Sequence, residues 1–79
     1  MEKNLTVYPI SSGDILNIFA NDDFNDIRIM DMMGNVVHVA TNNGGAHSQV
    51  NIQGLENATY IIEIVYADRK TARSVFVKM

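Results

Sequence analysis

The chain has 79 residues, a net charge of -3, an apolar fraction of 47%, and neither cysteine nor tryptophan. That is room for one domain spanning 1–79 with one core, and a core of this size leaves roughly 3–5 kcal/mol of net stability. Disulfides and thiolate metal sites are excluded, so modest a charge argues against a dedicated nucleic-acid binder, and no run of about 18 apolar residues offers a membrane-spanning helix.

In chain order the apolar residues recur with period two, the signature of half-buried strands. Leu5-Thr6-Val7-Tyr8 alternates and stops at Pro9, which cannot donate to a ladder and suits a strand end or edge. Ser11-Ser12-Gly13-Asp14 is a turn cluster. Ile15 to Phe19 follows, with Leu16 and Ile18 on one face. A polar loop, Asn21-Asp22-Asp23, precedes the strand Ile27-Arg28-Ile29-Met30. Asp31-Met32-Met33-Gly34 has Asp first and Gly fourth, which predicts a type I turn closed through a bulge by a glycine at positive φ. Val36 to Ala40 returns from it.

Asn42-Asn43-Gly44-Gly45 is rich in residues that tolerate left-handed backbone, and His47 to Ile52 then alternates with Val50 and Ile52 facing the same way. Gln53-Gly54 breaks that strand, and Leu55 precedes Tyr60 by five residues. Thr59 to Ala67 is the strongest strand. Tyr60, Ile62, Ile64 and Tyr66 share one face, and Glu63 alone interrupts the apolar residues of the other. A strand apolar on both faces is expected at the centre of its sheet. Asp68-Arg69 marks a tight return into a last strand from Lys70 to Lys78. Seven short strands with regular turn signals and no helical period predict an all-β, antiparallel sandwich.

Charge is unevenly placed. From residue 69 onward stand Arg69, Lys70, Arg73 and Lys78 with no acid, whereas residues 1–68 hold two bases and nine acids. Bases on a last strand have two compatible readings: protection of a sheet edge against aggregation, or docking to an acidic or anionic surface.

Catalytic constellations are weak throughout. His38 and His47 lack the further ligands that a zinc site needs. Asp22, Asp23 and Asp26 do not follow the alternating ligand pattern of a calcium loop. No serine sits in a Gly-x-Ser-x-Gly elbow, and Gly44-Gly45 precedes a strand rather than a phosphate-binding helix. Without tryptophan, and with Tyr60 and Tyr66 in the parity of the core, only Tyr8 is left open as a sugar platform. These residues predict a domain that is no enzyme and uses no cofactor or metal. The start, Met1-Glu2-Lys3-Asn4, has no apolar signal-peptide region. The size and abrupt start are those expected of a segment of a larger precursor.

Taken in order, Leu5-Thr6-Val7-Tyr8-Pro9, Ser12-Gly13-Asp14-Ile15-Leu16-Asn17-Ile18, Ile27 to Val37 with its Asp31 and Gly34, Val50-Asn51-Ile52 with Leu55, Tyr60-Ile61-Ile62-Glu63-Ile64 and Val75-Phe76-Val77-Lys78 resemble the type A (Por) C-terminal sorting domain of type IX secretion cargo in Bacteroidetes. The resemblance covers residues 5–79. Each motif alone is weak; their order, their spacing and a last strand that runs to Met79 are specific together.

The resemblance implies an Ig-like sandwich on an exported protein. It would mark the cargo for passage from the periplasm across the outer membrane, to be secreted or held at the cell surface. The implied partners are the outer-membrane shuttle or translocon, a sortase that commonly cuts upstream of the domain, and surface lipopolysaccharide. Two positions depart from the family pattern. Tyr8-Pro9 continues as Ile10-Ser11 where the family commonly has Asn-Pro, and Ala58 stands where glycine is favoured two residues before Tyr60. A turn rebuilt with left-handed Asn57 would accommodate the second. These departures also fit an uncleaved Ig-like tail of a surface or secretion-machinery component, serving as adhesion module, spacer or lipopolysaccharide binder.

Within the last strand, Val75, Phe76 and Val77 would give apolar contact, Lys70, Arg73 and Lys78 would steer, and Met79 would end the recognition element. The competing reading is that Val75 and Val77 fill the core. So short a sandwich is also compatible with homodimers formed through edge strands.

Overall fold

The computed structural model describes residues 5–9 (as backbone), 14–42 and 44–79. Seven strands and no helix are found among them: β1 (Leu5–Pro9), β2 (Ile15–Ala20), β3 (Phe24–Met30), β4 (Val36–Thr41), β5 (His47–Asn51), β6 (Ala58–Tyr66) and β7 (Thr71–Lys78). They form two sheets, β1-β2-β5 and β4-β3-β6-β7, in which all pairings are antiparallel. The predicted all-β, Ig-like sandwich is therefore the observed fold. β4 joins β3 in the larger sheet rather than β5 in the smaller one, unlike the constant-type immunoglobulin arrangement.

The core follows from parity. Leu16 and Ile18 of β2 and Val50 and Ile52 in and after β5 face Ile27 and Ile29 of β3 and Tyr60, Ile62, Ile64 and Tyr66 of β6. All are buried, as the alternation predicts, and β6 lies between β3 and β7 as its two apolar faces require.

Most strands differ from the expectation by one residue at an end, and the largest difference is at the start of β3. β3 begins at Phe24, three residues before Ile27, and both side chains are buried although strict alternation would put them on opposite faces. A bulge between Phe24 and Asp26 in the pairing with β6 resolves the conflict by inserting one residue. The Asn42 side chain holds this start by donating to the carbonyls of Phe24 (3.3 Å) and Gly45 (3.1 Å).

The β3–β4 turn forms as predicted. Gly34 N–H donates to the Asp31 carbonyl at 3.0 Å, Asp31 N–H donates to the Asn35 carbonyl at 2.9 Å, and Gly34 has φ 88°. The pairing of β3 with β4 shifts by one residue between Ile29 and Met30. The β6–β7 turn repeats the hydrogen bonding: Arg69 N–H to the Tyr66 carbonyl, 2.9 Å, and Tyr66 N–H to the Lys70 carbonyl, 2.8 Å. Here the left-handed place belongs to Arg69, φ 70°.

The left-handed Asn57 expected beside Ala58 is not found, since Arg69 is the one non-glycine residue at positive φ among those described. Segment 52–57 is closed by other means. Leu55 N–H donates to the Ile52 carbonyl, and the Tyr60 hydroxyl donates back to the Glu56 carbonyl at 2.6 Å. A tyrosine at the start of the sixth strand, bonded to backbone just upstream, is the tyrosine corner of Ig-like sandwiches. It fixes the position of Leu55, which packs against the core. Ile10 to Gly13 lie outside the described residues, so the Gly13 turn and the Ile10-Ser11 departure do too.

Candidate recognition surface

β7 ends the larger sheet and presents two unlike faces. Register with β6 sets them: Tyr60 opposes Phe76 and Ile62 opposes Ser74, whereas Ile61 opposes Val75 and Glu63 opposes Arg73. Ala72, Phe76 and Lys78 are buried; Thr71, Arg73, Val75 and Val77 are exposed.

That arrangement corrects part of the sequence reading. Val75 and Val77 are 56% and 49% exposed, so they do not fill the core. Phe76 is only 4% exposed, its ring 5.6 Å from that of Tyr60, and it cannot supply surface contact. Lys78 is buried as well. Its ammonium donates to the carbonyls of Gln53 (3.4 Å) and Leu55, so it clamps the Leu55 turn rather than steering a partner. Parity held the signal: Phe76 and Lys78 share the phase of Ala72, two residues apart along one face. Lys70, Arg73, Val75, Val77 and Met79 remain as accessible members of the predicted set.

β1 of the smaller sheet lies close to β7. The outer face of β7 is exposed at Thr71, Arg73, Val75 and Val77.

Across that outer face run two rows set by register. In the first, Arg28 opposes Glu63 and Glu63 opposes Arg73. The Glu63 carboxylate is buried yet bonded on both sides, Oε1 to Arg28 Nη2 at 3.3 Å and Oε2 to Arg73 Nε at 2.7 Å. The residue that interrupts the apolar pattern of β6 is thus held by two half-exposed guanidinium groups. In the second row Met30 opposes Ile61 and Ile61 opposes Val75. A shallow depression floored by Asp26, Arg28, Val39, Thr41 and Val65 lies over β3, β4 and β6.

The β3–β4 turn borders the same sheet. The Asp31 carboxylate accepts from Asn35 N–H (2.9 Å), Asn35 Nδ2 (3.1 Å) and Met33 N–H (2.9 Å). These bonds, those from Asn35 first, outweigh desolvation and hold its carboxyl below the ordinary carboxylate value.

No group suited to a metal occurs among the described residues. His38 lies on β4 of the larger sheet, and His47 lies on β5 of the smaller one, stacked on Phe19 at 4.3 Å. The topology separates them.

Residues 6–78 match the family described as the secretion system C-terminal sorting domain. No curated protein and no solved structure matches the chain. The family match spans essentially the whole chain, and the protein belongs to this family of type IX sorting signals. The family is one of sorting signals, not of catalysts, and it implies an exported protein, secreted or surface-attached, recognised by the secretion machinery.

Proposed function

We propose that this domain is the non-catalytic address label of an exported cargo, carried through the periplasm and read at the outer membrane by the type IX shuttle or translocon. The observation that carries the reading is the family match over residues 6–78. Residues 1–79 act as one unit, and the cargo precedes it. A sortase cuts upstream of the label, and the mature cargo is released or joined to surface lipopolysaccharide.

The exposed face of β7 is the recognition element: Val75 and Val77 offer apolar contact, and Arg73 and Lys70 bias encounter toward an acidic surface. Phe76 and Lys78 serve it from behind by fixing the strand to the core and to the Leu55 turn. Tyr60, Leu55, Asp31 and Gly34 have structural parts, keeping the corner and the turn in shape.

The test is export of a reporter placed between a signal peptide and residues 1–79 in a type IX-competent host. Reporter in the medium or on the cell surface supports the proposal, and reporter retained in the periplasm refutes it. Deleting Ser74 to Met79 is the wrong control, because it removes buried Phe76 and Lys78 with the exposed face.

A further inference from the structure

We infer that the edge of β4 docks a second copy of this chain: two copies pair antiparallel through β4, with Ala40 at the two-fold centre, and join their larger sheets into one. The inference stands apart from the sorting reading.

The sheet edges are not equally protected. Native edges are guarded by charge, proline, short length or a neighbouring segment. β7 carries Arg73 and Lys78 and has β1 close by. β1 stops at Pro9, and β5 is five residues long and polar except for Val50. β4 ends the larger sheet and pairs with β3 alone. Its residues, Val36-Val37-His38-Val39-Ala40-Thr41, include no lysine, arginine, carboxylate or proline. Val36, Val37 and Val39 are 52%, 41% and 64% exposed. The one irregularity, the register shift at Ile29 and Met30, lies toward the β3–β4 turn. An apolar edge left open in this way is a template for another strand.

The backbone defines what fits there. Asn42 N–H donates to the Asn25 carbonyl at 2.7 Å, and bonded pairs alternate along an antiparallel ladder. Ala40 opposite Ile27 and His38 opposite Ile29 therefore take the β3 side. Val39 and Thr41 turn N–H and C=O toward the open edge, where an extended strand satisfies them.

Charge selects a second copy and sets its register. On the outer face Arg28 lies beside Val39, and Asp26 lies beside Thr41. When two copies pair with Ala40 at the centre, Val39 of each opposes Thr41 of the other and exchanges both backbone bonds with it. Every such row then has Arg28 at one end and Asp26 of the other copy at the opposite end. Pairing centred on Val39 would instead put Arg28 at both ends of one row, like charge toward like. A foreign strand would need the same match, a neutral apolar segment flanked by an acid and a base in reverse order. The second copy supplies it by symmetry. β4 and β7 lie at opposite ends of the larger sheet, so both copies keep the outer face of β7 exposed.

The experiment is sedimentation equilibrium of the purified 79-residue chain, unchanged and as Val39→Glu or Gln49→Lys. So small a contact predicts a dissociation constant of about 10–100 µM for the parent. Val39→Glu is expected to weaken it about tenfold or more, since the carboxylate stands near Asp26 of the other copy. Its melting midpoint in dilute solution should stay within about 2 °C of the parent, because Arg28 meets the same carboxylate within each copy. Gln49→Lys, exposed on the edge strand β5, is expected to leave dimerisation unchanged. The chain has no cysteine, so Ala40→Cys and Val39→Cys report the register. Mild oxidation is expected to crosslink Ala40→Cys, which meets its own copy at the two-fold, and not Val39→Cys, whose diagonal separation exceeds disulfide reach. A parent still monomeric at about 500 µM, or a dimer that Val39→Glu leaves intact, would overturn the inference. Crosslinking of Val39→Cys in place of Ala40→Cys would overturn the assigned register.

Discussion

The two faces of β7 differ in kind although they alternate residue by residue. Ala72, Phe76 and Lys78 turn inward, where a ring packs on Tyr60 and an ammonium satisfies carbonyls of the Leu55 turn. Arg73, Val75 and Val77 turn outward onto a sheet face that nothing among the described residues covers. One face is spent on holding the fold, the other is free to be read, and a period of two lets a single strand do both. Substitutions on the inner face should therefore act through stability, and those on the outer face through recognition.

Phe76→Ala sharpens that contrast most. Removing a buried phenylalanine costs about 3–5 kcal/mol, comparable to the roughly 3–5 kcal/mol expected for the whole domain. The variant should show no cooperative thermal transition by circular dichroism. Lys78→Ala should be next, because it strands the carbonyls of Gln53 and Leu55; about 1–3 kcal/mol is expected, read as an earlier denaturation midpoint in urea. A folded Phe76→Ala variant of parental stability would break the distinction between the faces.

The two hairpin turns give a smaller, paired prediction. They share one hydrogen-bond pattern but place Gly34 and Arg69 at the left-handed position. Glycine takes that conformation without steric penalty and a residue with a Cβ does not, at a cost of about 1 kcal/mol. Gly34→Ala should lower the melting midpoint and Arg69→Gly should raise it. A shift of the same sign in both variants would contradict the cost assigned to left-handed backbone at a residue with a Cβ.

Asp31 adds a pH signature. Its carboxyl is held low in the folded state, so its bonds contribute stability above the unfolded value of about 3.9, and that contribution is lost as pH falls through the folded value. Between about pH 6 and about pH 3 the parent should lose more stability than Asp31→Asn, whose side chain does not titrate there. Parallel loss in the two would show that the carboxylate's charge contributes nothing to the turn.

Much of this architecture was legible in the sequence. Alternation located the strands and placed Leu16, Ile18, Val50 and Ile52 in the core, and Asp31 with Gly34 announced a turn. What stayed hidden needed a third dimension or an irregularity. The bulge that lets Phe24 and Ile27 both face inward breaks the very period that reveals strands. Arg69 gives no local sign of left-handed backbone, because the hairpin imposes it. Glu63 read as an interruption until β3 and β7 brought Arg28 and Arg73 to either side of it. The outer-face row of Met30, Ile61 and Val75 depends on strand order, which alternation alone does not give.

The most direct test is the exported fraction of a reporter fused to the tail carrying Val75→Thr and Val77→Thr, measured together with its melting midpoint. Threonine keeps the β-branched shape on an exposed strand face, so the midpoint should stay near that of the parent. The account predicts a folded tail whose reporter accumulates in the periplasm. Parental export from that folded variant would contradict it.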